Sequence, residues 1–438
     1  MSAELQSRAA QAVELARSAG ANDAWATATQ SRDVEFNYRD GSLEKVKDTT
    51  SRNLAIQVYA NGRYSSHQTT DLNPDRLKSF VVEAVAITGA LEPDEARQVT
   101  PAELFKGRPA DDLDLIDDAV PAITRERRLE WAETIDQVAT ANERVISATT
   151  GVYDGTLNSA SASSNGFTGS HAETYCWYGS NITLKDTGDK RASDGYFVGS
   201  QHVDALPQAT AVARIGLERA LSRLGSEKGP TIKTTMVVDS RAAAQLIGRL
   251  LGPANARRVH QGQSFWSDLV GKKAFSDKLT IVDNPLIPRG FGSRHFDSEG
   301  ISAKYLPIVD QGVVKNLYVD TYHGRKAGMT PTTGSASNRI IGTGDHSLEA
   351  LLKEVGSGIY VTSWLGGNAD NTTGDFSLGL RGHLIENGQV GGPVGEMNVT
   401  GNLKDLFSRL DLVGNDVHPY STTLSPSLVF SGVDFSGA

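Results

Sequence analysis

The side chains in this sequence that are able to do chemistry are mainly histidines, carboxylates and one thiol. The nine histidines are scattered along the chain. His295, Asp297 and Glu299 occupy alternating positions, so a strand here would place all three on one face, where they could hold a metal ion or serve a hydrolase. A solvent-facing strand or loop is the more common setting for such residues. We therefore favour a surface segment over a metal site.

Three other segments are candidates for binding a peptide. His260 follows two arginines and precedes a polar run, and an exposed loop is the plainer interpretation. His323 and Arg325 belong to a dense polar run that could bind a peptide carboxylate or main chain, or could form a charged turn. Gly366 and Gly367 would allow another backbone to approach closely, or would only permit tight β geometry.

Motifs for a nucleophile or for phosphate binding are missing from the sequence. It contains no Gly-x-Ser-x-Gly elbow, no Gly-x-x-x-x-Gly-Lys-Ser/Thr loop and no Gly-x-Gly-x-x-Gly after a strand. Cys176 lies between two aromatic residues and has no basic neighbour that would activate it. We expect a buried structural thiol rather than a nucleophile. An α/β-hydrolase is therefore excluded.

The first half of the chain contains a pattern of helix, strands and helix that occurs twice. Periodicity predicts helices over 3–19, 74–89, 124–141 and 207–224. Asp-Gly or Asn-Gly pairs predict strand turns at 40–41, 61–62, 154–155 and 165–166. The acidic, proline-containing stretch over about 92–121 joins the two units, and we expect it to be irregular and exposed.

The second half has frequent glycines and short strands. A strand over 233–238 leads into a helix at about 240–251, and Asp310-Gln311-Gly312 and Asn387-Gly388 predict two hairpins. Glycines at bends are typical of curled or barrel-like sheets. We predict an α+β protein with an N-terminal α+β domain and a β-rich, barrel-like C-terminal domain. The predicted bounds are 1–228, with sub-repeats 1–91 and 122–228, and 229–438.

Composition limits the partners and the location. The length of 438 residues predicts two or three domains, and a net charge of −9 disfavours nucleic acid. No run of about 18 apolar residues occurs, so we expect no membrane span. Met1–Leu5 has neither a basic leader nor an apolar core, so we expect no signal peptide. A single cysteine excludes an internal disulfide and favours a cytoplasmic location.

The C-terminal half contains a specific block of motifs. In chain order they are Gly358-Ile359-Tyr360-Val361-Thr362, Gly366-Gly367-Asn368, Thr373-Gly374-Asp375-Phe376-Ser377, Ile385-Glu386-Asn387-Gly388, Gly401-Asn402-Leu403 and Val413-Gly414-Asn415-Asp416. The block resembles the TldD/PmbA peptidase family, also labelled modulator of DNA gyrase, and is closest to its PmbA (TldE) branch. The resemblance extends over nearly the whole chain. It implies a two-layer N-terminal region, a β-rich C-terminal domain and a dimer that encloses a cavity.

The resemblance also implies where a metal site would lie. The TldD branch has a His-Glu-x-x-x-His helix after the first C-terminal strand, and a cysteine ligand after the Val-Gly-Asn-Asp motif. The matching helix here is Arg241–Gly252, which has no His, Glu or Cys, and Val417–Tyr420 has no Cys. A zinc peptidase of this type needs such ligands and the glutamate base. The resemblance therefore implies no cofactor in this chain and zinc in a TldD-like partner, with His260 and the Gly366-Gly367 region near the cleft.

The leading hypothesis is a PmbA/TldE-like subunit of a zinc metallopeptidase complex that degrades or processes unfolded or short peptides. Its partner would be a TldD-like paralogue or a second copy of the chain. Two alternatives stay open. One is a homodimeric peptide-binding module without catalysis, and the other is an autonomous hydrolase that uses residues such as His295, Asp297 or His323. Because the His-Glu-x-x-x-His motif and the cysteine ligand are absent, we expect that this member of a metallopeptidase family is not catalytic on its own.

Overall fold

The structure is a computed structural model that describes residues 2–437. Met1, where the expected leaderless N-terminus begins, and Ala438, where the expected C-terminal domain ends, lie outside the described residues. The α-helices are α1 Ser2–Ser18, α2 Pro74–Gly89, α3 Arg125–Ala139, α4 Ala209–Leu221, α5 Ser240–Leu251, α6 Ala256–His260, α7 Thr321–Ala327, α8 Leu348–Val355 and α9 Leu403–Ser408. Short 3-10 helices cover Ala102–Phe105 and Val203–Ala205.

The strands divide into a long set in the N-terminal half and a shorter set in the C-terminal half. The long set is β1 Asp23–Arg39, β2 Ser42–Ala60, β3 Arg63–Thr69, β4 Val145–Ser163, β5 Thr168–Lys185 and β6 Arg191–Ser200. The other strands are β7 Glu227–Lys228, β8 Ile232–Val238, β9 Ile281–Asp283, β10 Leu306–Asp310, β11 Val313–Val314, β12 Arg339–Ile341, β13 Gly358–Ala369, β14 Asp375–Glu386, β15 Gln389–Asn402, β16 Leu410–Val413, β17 Thr423–Leu424 and β18 Leu428–Ser436.

The N-terminal half is one six-stranded antiparallel sheet with helices packed on it. The order α1-β1-β2-β3-α2 is followed by α3-β4-β5-β6-α4, so the predicted helix–strands–helix repeat is confirmed. The two units join where β1 pairs with β4, which gives the sheet order β3-β2-β1-β4-β5-β6. Asp40 and Gly41 form the β1–β2 turn with φ values of 49° and 82°, the left-handed conformation that their side chains tolerate.

The turn predicted at Asp154-Gly155 is wrong. These two residues lie inside β4 and pair with both β1 and β5. Gly155 is required by close packing, because a Cβ there would lie 2.4 Å from the carbonyl oxygen of Arg32. Asp154 is the buried partner of Arg128 on α3. The dipeptide therefore serves contacts between strands and a helix, which a local pattern does not reveal.

The stretch between the two units is irregular, as predicted, but it is exposed only in part. Leu113, Leu115 and Val120 are buried in it. The carbonyl oxygen of Leu115 accepts a hydrogen bond of 2.9 Å from the main-chain N–H of Thr174 on β5. Apolar residues at these positions anchor the connection to the protein surface, so it is not a free linker.

The C-terminal half contains a closed five-stranded barrel, as the sequence predicted. β18, β8, β13, β14 and β15 pair in that order, and β15 pairs back to β18. A second sheet has the order β11-β10-β9-β12-β17. Helix α5 follows β8 and packs into the same apolar core. No helix within residues 2–437 is long and apolar enough to cross a membrane.

Both predicted C-terminal hairpin turns are present. Asn387 and Gly388 join the long strands β14 and β15, whereas Gln311 and Gly312 join β10 to the two-residue β11. The polar run after β11 forms helix α7 and not a turn between strands. Asp320 starts that helix, because its Oδ1 accepts a hydrogen bond of 2.7 Å from the main-chain N–H of His323.

Candidate functional site

Helix α5 occupies the position where the family resemblance places a zinc-binding helix. It begins at Asp239, whose carboxylate accepts hydrogen bonds from the main-chain N–H of Arg241 at 3.0 Å and from the Tyr360 hydroxyl at 2.8 Å. Its apolar face is buried in the barrel core. The remaining face presents Arg241, Gln245 and Arg249, which are not zinc ligands of the kind that peptidases use. The helix is intact, and its donor set does not fit zinc.

The alternating triplet His295, Asp297 and Glu299 is the other candidate for a metal site, and its members form hydrogen bonds within the protein. The carboxylate of Asp297 accepts four hydrogen bonds of 2.9–3.0 Å, from Glu299, Ile301, Thr333 and Gly334. Glu299 in turn accepts two hydrogen bonds from Thr321, at 2.7 and 2.8 Å.

The remaining member of the triplet, His295, is also engaged. Its Nε2 is 2.8 Å from the carbonyl oxygen of Asp111. Within residues 2–437 no three His, Cys, Asp or Glu side chains are placed to hold a metal ion.

The segment after the Val-Gly-Asn-Asp motif, where the family resemblance places a cysteine ligand, contains the half-buried His418. The carboxylate of Asp416 accepts hydrogen bonds from the main-chain N–H and the hydroxyl of Ser427, at 2.9 and 2.6 Å. The ring of His418 contacts those of Tyr196 and Tyr420, with centroid distances of 6.4 and 5.3 Å. Burial lowers the pKa of His418 to about 4, so its imidazole is neutral at pH 7.

Two of the predicted binding residues come together in one cavity. This linker–helix cavity has a volume of about 420 Å³ and lies between the stretch that joins the two N-terminal units and helices α6 and α7. Its lining residues are Arg97, Arg257, His260, Gln261, Tyr322 and His323. The predicted residue Arg325 lines a neighbouring open cavity of about 790 Å³.

The walls of the linker–helix cavity are held by stacked and charged contacts. The guanidinium of Arg97 lies 3.5 Å from the ring centroid of Tyr322 and 4.5 Å from that of Tyr64. Asp94 Oδ2 accepts one hydrogen bond of 2.8 Å from the Tyr322 hydroxyl, and Asp94 Oδ1 lies 2.8 Å from Lys326 Nζ. The bond from Lys326, followed by that from Tyr322, lowers the pKa of Asp94 to about 2.

Arg325 and His323 have defined partners on the two sides of α7. Arg325 donates three hydrogen bonds of 3.1 Å, to the carbonyl oxygens of Ala96, Gln98 and Val99, and so fixes the joining stretch against the helix. His323 Nδ1 lies 2.7 Å from Asp320 Oδ2.

The chemistry of the linker–helix cavity suits recognition more than bond cleavage. Two guanidinium groups, two imidazoles and one amide line it, so its donors match carbonyl and carboxylate oxygens of a peptide. It contains no nucleophile paired with a base. The roles of His260, His323 and Arg325 in peptide binding stay predictions.

The other predicted residues lie elsewhere. His295 lines a separate cavity of about 350 Å³ that also includes His171. Gly366 and Gly367 are exposed at a bulge of β13, with φ values of 121° and 107°. A Cβ at Gly367 would lie 2.1 Å from the carbonyl oxygen of Ser377, so a close strand approach requires this glycine.

Sequence reasoning missed Asp94 and Arg97, which lie in the stretch that was expected to be exposed. No local pattern marks them, because their partners Tyr322 and Lys326 are more than two hundred residues away in the chain. The only available signal was the density of polar residues in the α7 segment, which indicated one wall of the cavity.

The comparisons with known proteins cover nearly the whole chain. Models of the PmbA/TldA metallopeptidase match as domain 1 at residues 28–88, the central domain at 118–224 and the C-terminal domain at 231–437. The metalloprotease PmbA of Escherichia coli O157:H7 is 30% identical over 99% of this chain and 96% of that protein.

Solved structures share the fold over the same extent. A protein of Bacteroides thetaiotaomicron, whose crystal structure bears the name modulator of DNA gyrase, matches with a TM-score of 0.96 and 34% identity over 99% of each chain. TldE of Thermococcus kodakarensis matches with a TM-score of 0.87 over 98% of this chain and 100% of that one. Its identity of 17% limits that likeness to the fold.

Proposed function

The chain belongs to the PmbA/TldA metallopeptidase family, and we propose that it is the peptide-binding, PmbA/TldE-like subunit of a zinc metallopeptidase complex. In this proposal a TldD-like paralogue supplies the zinc and the cleavage step. This chain completes the chamber that admits unfolded or short peptides. The chain itself needs no cofactor for that role.

One observation carries the proposal. Helix α5 keeps its starting cap at Asp239, its packing in the barrel core and its place after β8, yet its polar positions are Arg241, Gln245 and Arg249. A helix that keeps its place and packing but has no metal ligands is what we expect of a subunit that binds peptides and does not cleave them. The engagement of Asp297 and Glu299 in structural hydrogen bonds weighs against an autonomous hydrolase that would use them.

Peptide binding requires an accessible surface that accepts extended chains of any sequence. The C-terminal barrel closes where β15 pairs back to β18, which leaves only short edges for strand addition, such as the part of β13 beyond its pairing with β8. The N-terminal sheet offers a longer edge. β3 pairs with only Leu54–Ala60 of β2, so Ser42–Asn53 pairs with β1 alone, and every residue over Glu44–Arg52 is exposed.

The side chains of this β2 edge favour a peptide over a second identical edge. Lys45 pairs with Glu35 at 3.0 Å and Asp48 pairs with Arg32 at 2.7 Å, so both are directed across to β1. Charged edge strands resist pairing with copies of themselves. An extended peptide that carries little charge avoids this penalty and gains main-chain hydrogen bonds along the edge.

The first test is zinc content per chain by elemental analysis, together with peptide hydrolysis. The isolated chain is expected to contain almost no zinc and to leave an unfolded peptide intact. The chain mixed with a TldD-like paralogue is expected to cleave it, with cleavage blocked by a chelator. Chelator-sensitive cleavage by the isolated chain, with about one zinc per chain, would refute the proposal. His295→Ala and His323→Ala would then identify the site.

The second test addresses the β2 edge with backbone-modified peptides. A strand of about eight residues uses the N–H groups of alternate residues toward one edge. N-methylation of one alternate set is expected to weaken binding to the isolated chain about tenfold or more, because several hydrogen bonds are lost. Methylation of the other set is the matched control and is expected to have little effect. Equal losses from both sets would exclude strand addition.

A further inference from the structure

Another cavity, of about 260 Å³, lies between the N-terminal sheet and the barrel and shares no lining residue with the linker–helix cavity. We call it the arginine cavity. Its cationic lining residues are Lys190, Arg191, Arg223, Lys228 and Arg381. Its acidic lining residues are Asp186, Glu227 and Glu396. The cations outnumber the anions, so the lining attracts a negatively charged ligand.

Arg223 is the deepest cation of the arginine cavity, with a side chain that is only 5% exposed. Its Nε and Nη2 donate to Asp194 Oδ2 at 3.0 and 2.8 Å. The same carboxylate also lies 3.5 Å from Arg219 Nε, so one anion serves two guanidinium groups. Arg223 Nη1 has no hydrogen-bond partner within residues 2–437. A buried donor in this state favours the arrival of an acceptor.

The lining carboxylates do not supply that acceptor. Asp186 accepts hydrogen bonds from the main-chain N–H groups of Thr187 and Gly225, at 2.8 and 3.1 Å, and it is thereby held in place. Glu227 and Glu396 are exposed. The available charge at the bottom of the arginine cavity is therefore that of the arginines.

Arg381 approaches the arginine cavity from the barrel at an irregular point of the sheet. Leu380 pairs with Met397 and Gly382 pairs with Val394, so Arg381 alone faces two residues of β15, Gly395 and Glu396, at a bulge with one extra residue. One of these, Glu396, has a φ of 50°, which is uncommon for a residue other than glycine. Bulges redirect side chains and are frequent beside functional sites. Arg381 makes one long bond, of 3.4 Å from Nη1 to the carbonyl oxygen of Ser193.

We propose that the arginine cavity binds the carboxylate of a small ligand, either a free amino acid derivative or the C-terminal end of a peptide. A planar carboxylate has two oxygens, which the guanidinium groups of Arg223 and Arg381, both in the lining, would share. The Nη1 of Arg223 is unpartnered but buried, so it would have to turn toward the ligand. A volume of about 260 Å³ equals roughly nine waters at about 30 Å³ each, which leaves room for one or two amino-acid residues. The inference does not depend on the proposed function, because no partner subunit is involved.

The test is calorimetric titration of the full chain with two matched pairs of ligands. N-acetylalanine is compared with its amide, and an unstructured peptide with a free C-terminus is compared with its amidated form. Both amides are expected to bind about tenfold or more weakly, because one charge-assisted contact is lost. Binding of N-acetylalanine identifies a free small carboxylate as sufficient, and binding of the peptide alone identifies a chain end. Inorganic phosphate serves as the competing oxyanion.

Variants connect the binding to the arginine cavity. Arg223→Gln removes a partner of the largely enclosed Asp194 and is expected to lower stability, so Arg381→Gln is the working variant. It is expected to weaken carboxylate binding about tenfold or more and to leave amide binding unchanged. Arg76→Gln, on the exposed surface of α2, makes the same charge change and is expected to stay within about twofold.

Three results would overturn the inference. The first is no carboxylate binding by the wild type at about 10 mM, and the second is tighter binding of phosphate than of carboxylate. The third is a folded Arg381→Gln protein that still distinguishes carboxylate from amide as the wild type does. A water-filled arginine cavity would give the first of these results.

Discussion

The ion pair between Arg128 of α3 and Asp154 of β4 is buried in the N-terminal sheet, with side chains that are 5% and 3% exposed. Arg128 Nε and Nη2 donate to the two carboxylate oxygens at 2.6 and 2.7 Å, and Nη1 donates to the carbonyl oxygen of Ile123 at 2.6 Å. Arg128→Met keeps the apolar stem and removes the charge. We expect it to lower the free energy of unfolding by about 3–5 kcal/mol, because Asp154 is left buried without a counter-charge.

The matched control removes both charges. Arg128→Met combined with Asp154→Leu leaves no uncompensated ion, so we expect the double variant to recover most of the loss, to within about 1–2 kcal/mol of the wild type. The contrast between the single and double variants separates the cost of a stranded charge from the value of the contact.

Hydrogen exchange measured by mass spectrometry is the appropriate assay, because a chain with several structural units does not unfold in one step. A loss of about 3 kcal/mol corresponds to roughly 150-fold faster exchange for the most protected amides of α3 and β4. The amides of α5, in the separate C-terminal core, are the internal reference. Unchanged exchange in α3 after Arg128→Met, or a double variant as weak as the single one, would refute the reasoning.

Three further predictions concern other parts of the molecule. Lys326 lowers the pKa of Asp94 to about 2, so the contact between them stabilises the folded state fully above the usual pKa near 3.8. That stabilisation is lost as the pH falls toward 2. Hydrogen exchange of residues 93–99, corrected for intrinsic rates, is expected to accelerate over that range. Gly367→Ala is expected to destabilise the barrel by about 1–3 kcal/mol, because Gly367 has a φ of 107° and lies close to β14. Gly366→Ala, which has open space around it, is the control and is expected to lower the thermal unfolding temperature less. Cys176 has a pKa raised to about 12 by burial, so a maleimide is expected to label the native protein slowly at about pH 8 and the denatured protein rapidly.

Sequence predictions succeeded where the structure depends on neighbouring residues and failed where it depends on residues far apart in the chain. Helix α2 has the predicted bounds 74–89, since its proline start and its apolar spacing are local features. The turn at Asp40-Gly41 was predicted correctly, because two residues suffice to set its backbone. Asp154-Gly155 has the same composition as that turn but lies within a strand, since contacts with Arg128 and Tyr175 decide its role.

The candidate site could be predicted only in its parts. His260 and His323 were identified as polar residues beside regular elements, and the structure places both in one cavity. Arg97, which completes the wall of that cavity, was not identifiable, because its stacking partners come from β3 and α7. No spacing rule connects residues that lie this far apart in the chain.

The sequence by itself determined the family, the α+β class, the repeat and the absence of zinc ligands in the helix at 241–252, because each depends on residue identity or on short-range periodicity. Only the tertiary structure decided that β15 closes onto β18, that the β2 edge stays open and that Arg223 and Arg381 meet at one cavity. These features depend on strand registers and on packing between distant segments. Such contacts form only when the whole chain is folded, so no local part of the sequence encodes them.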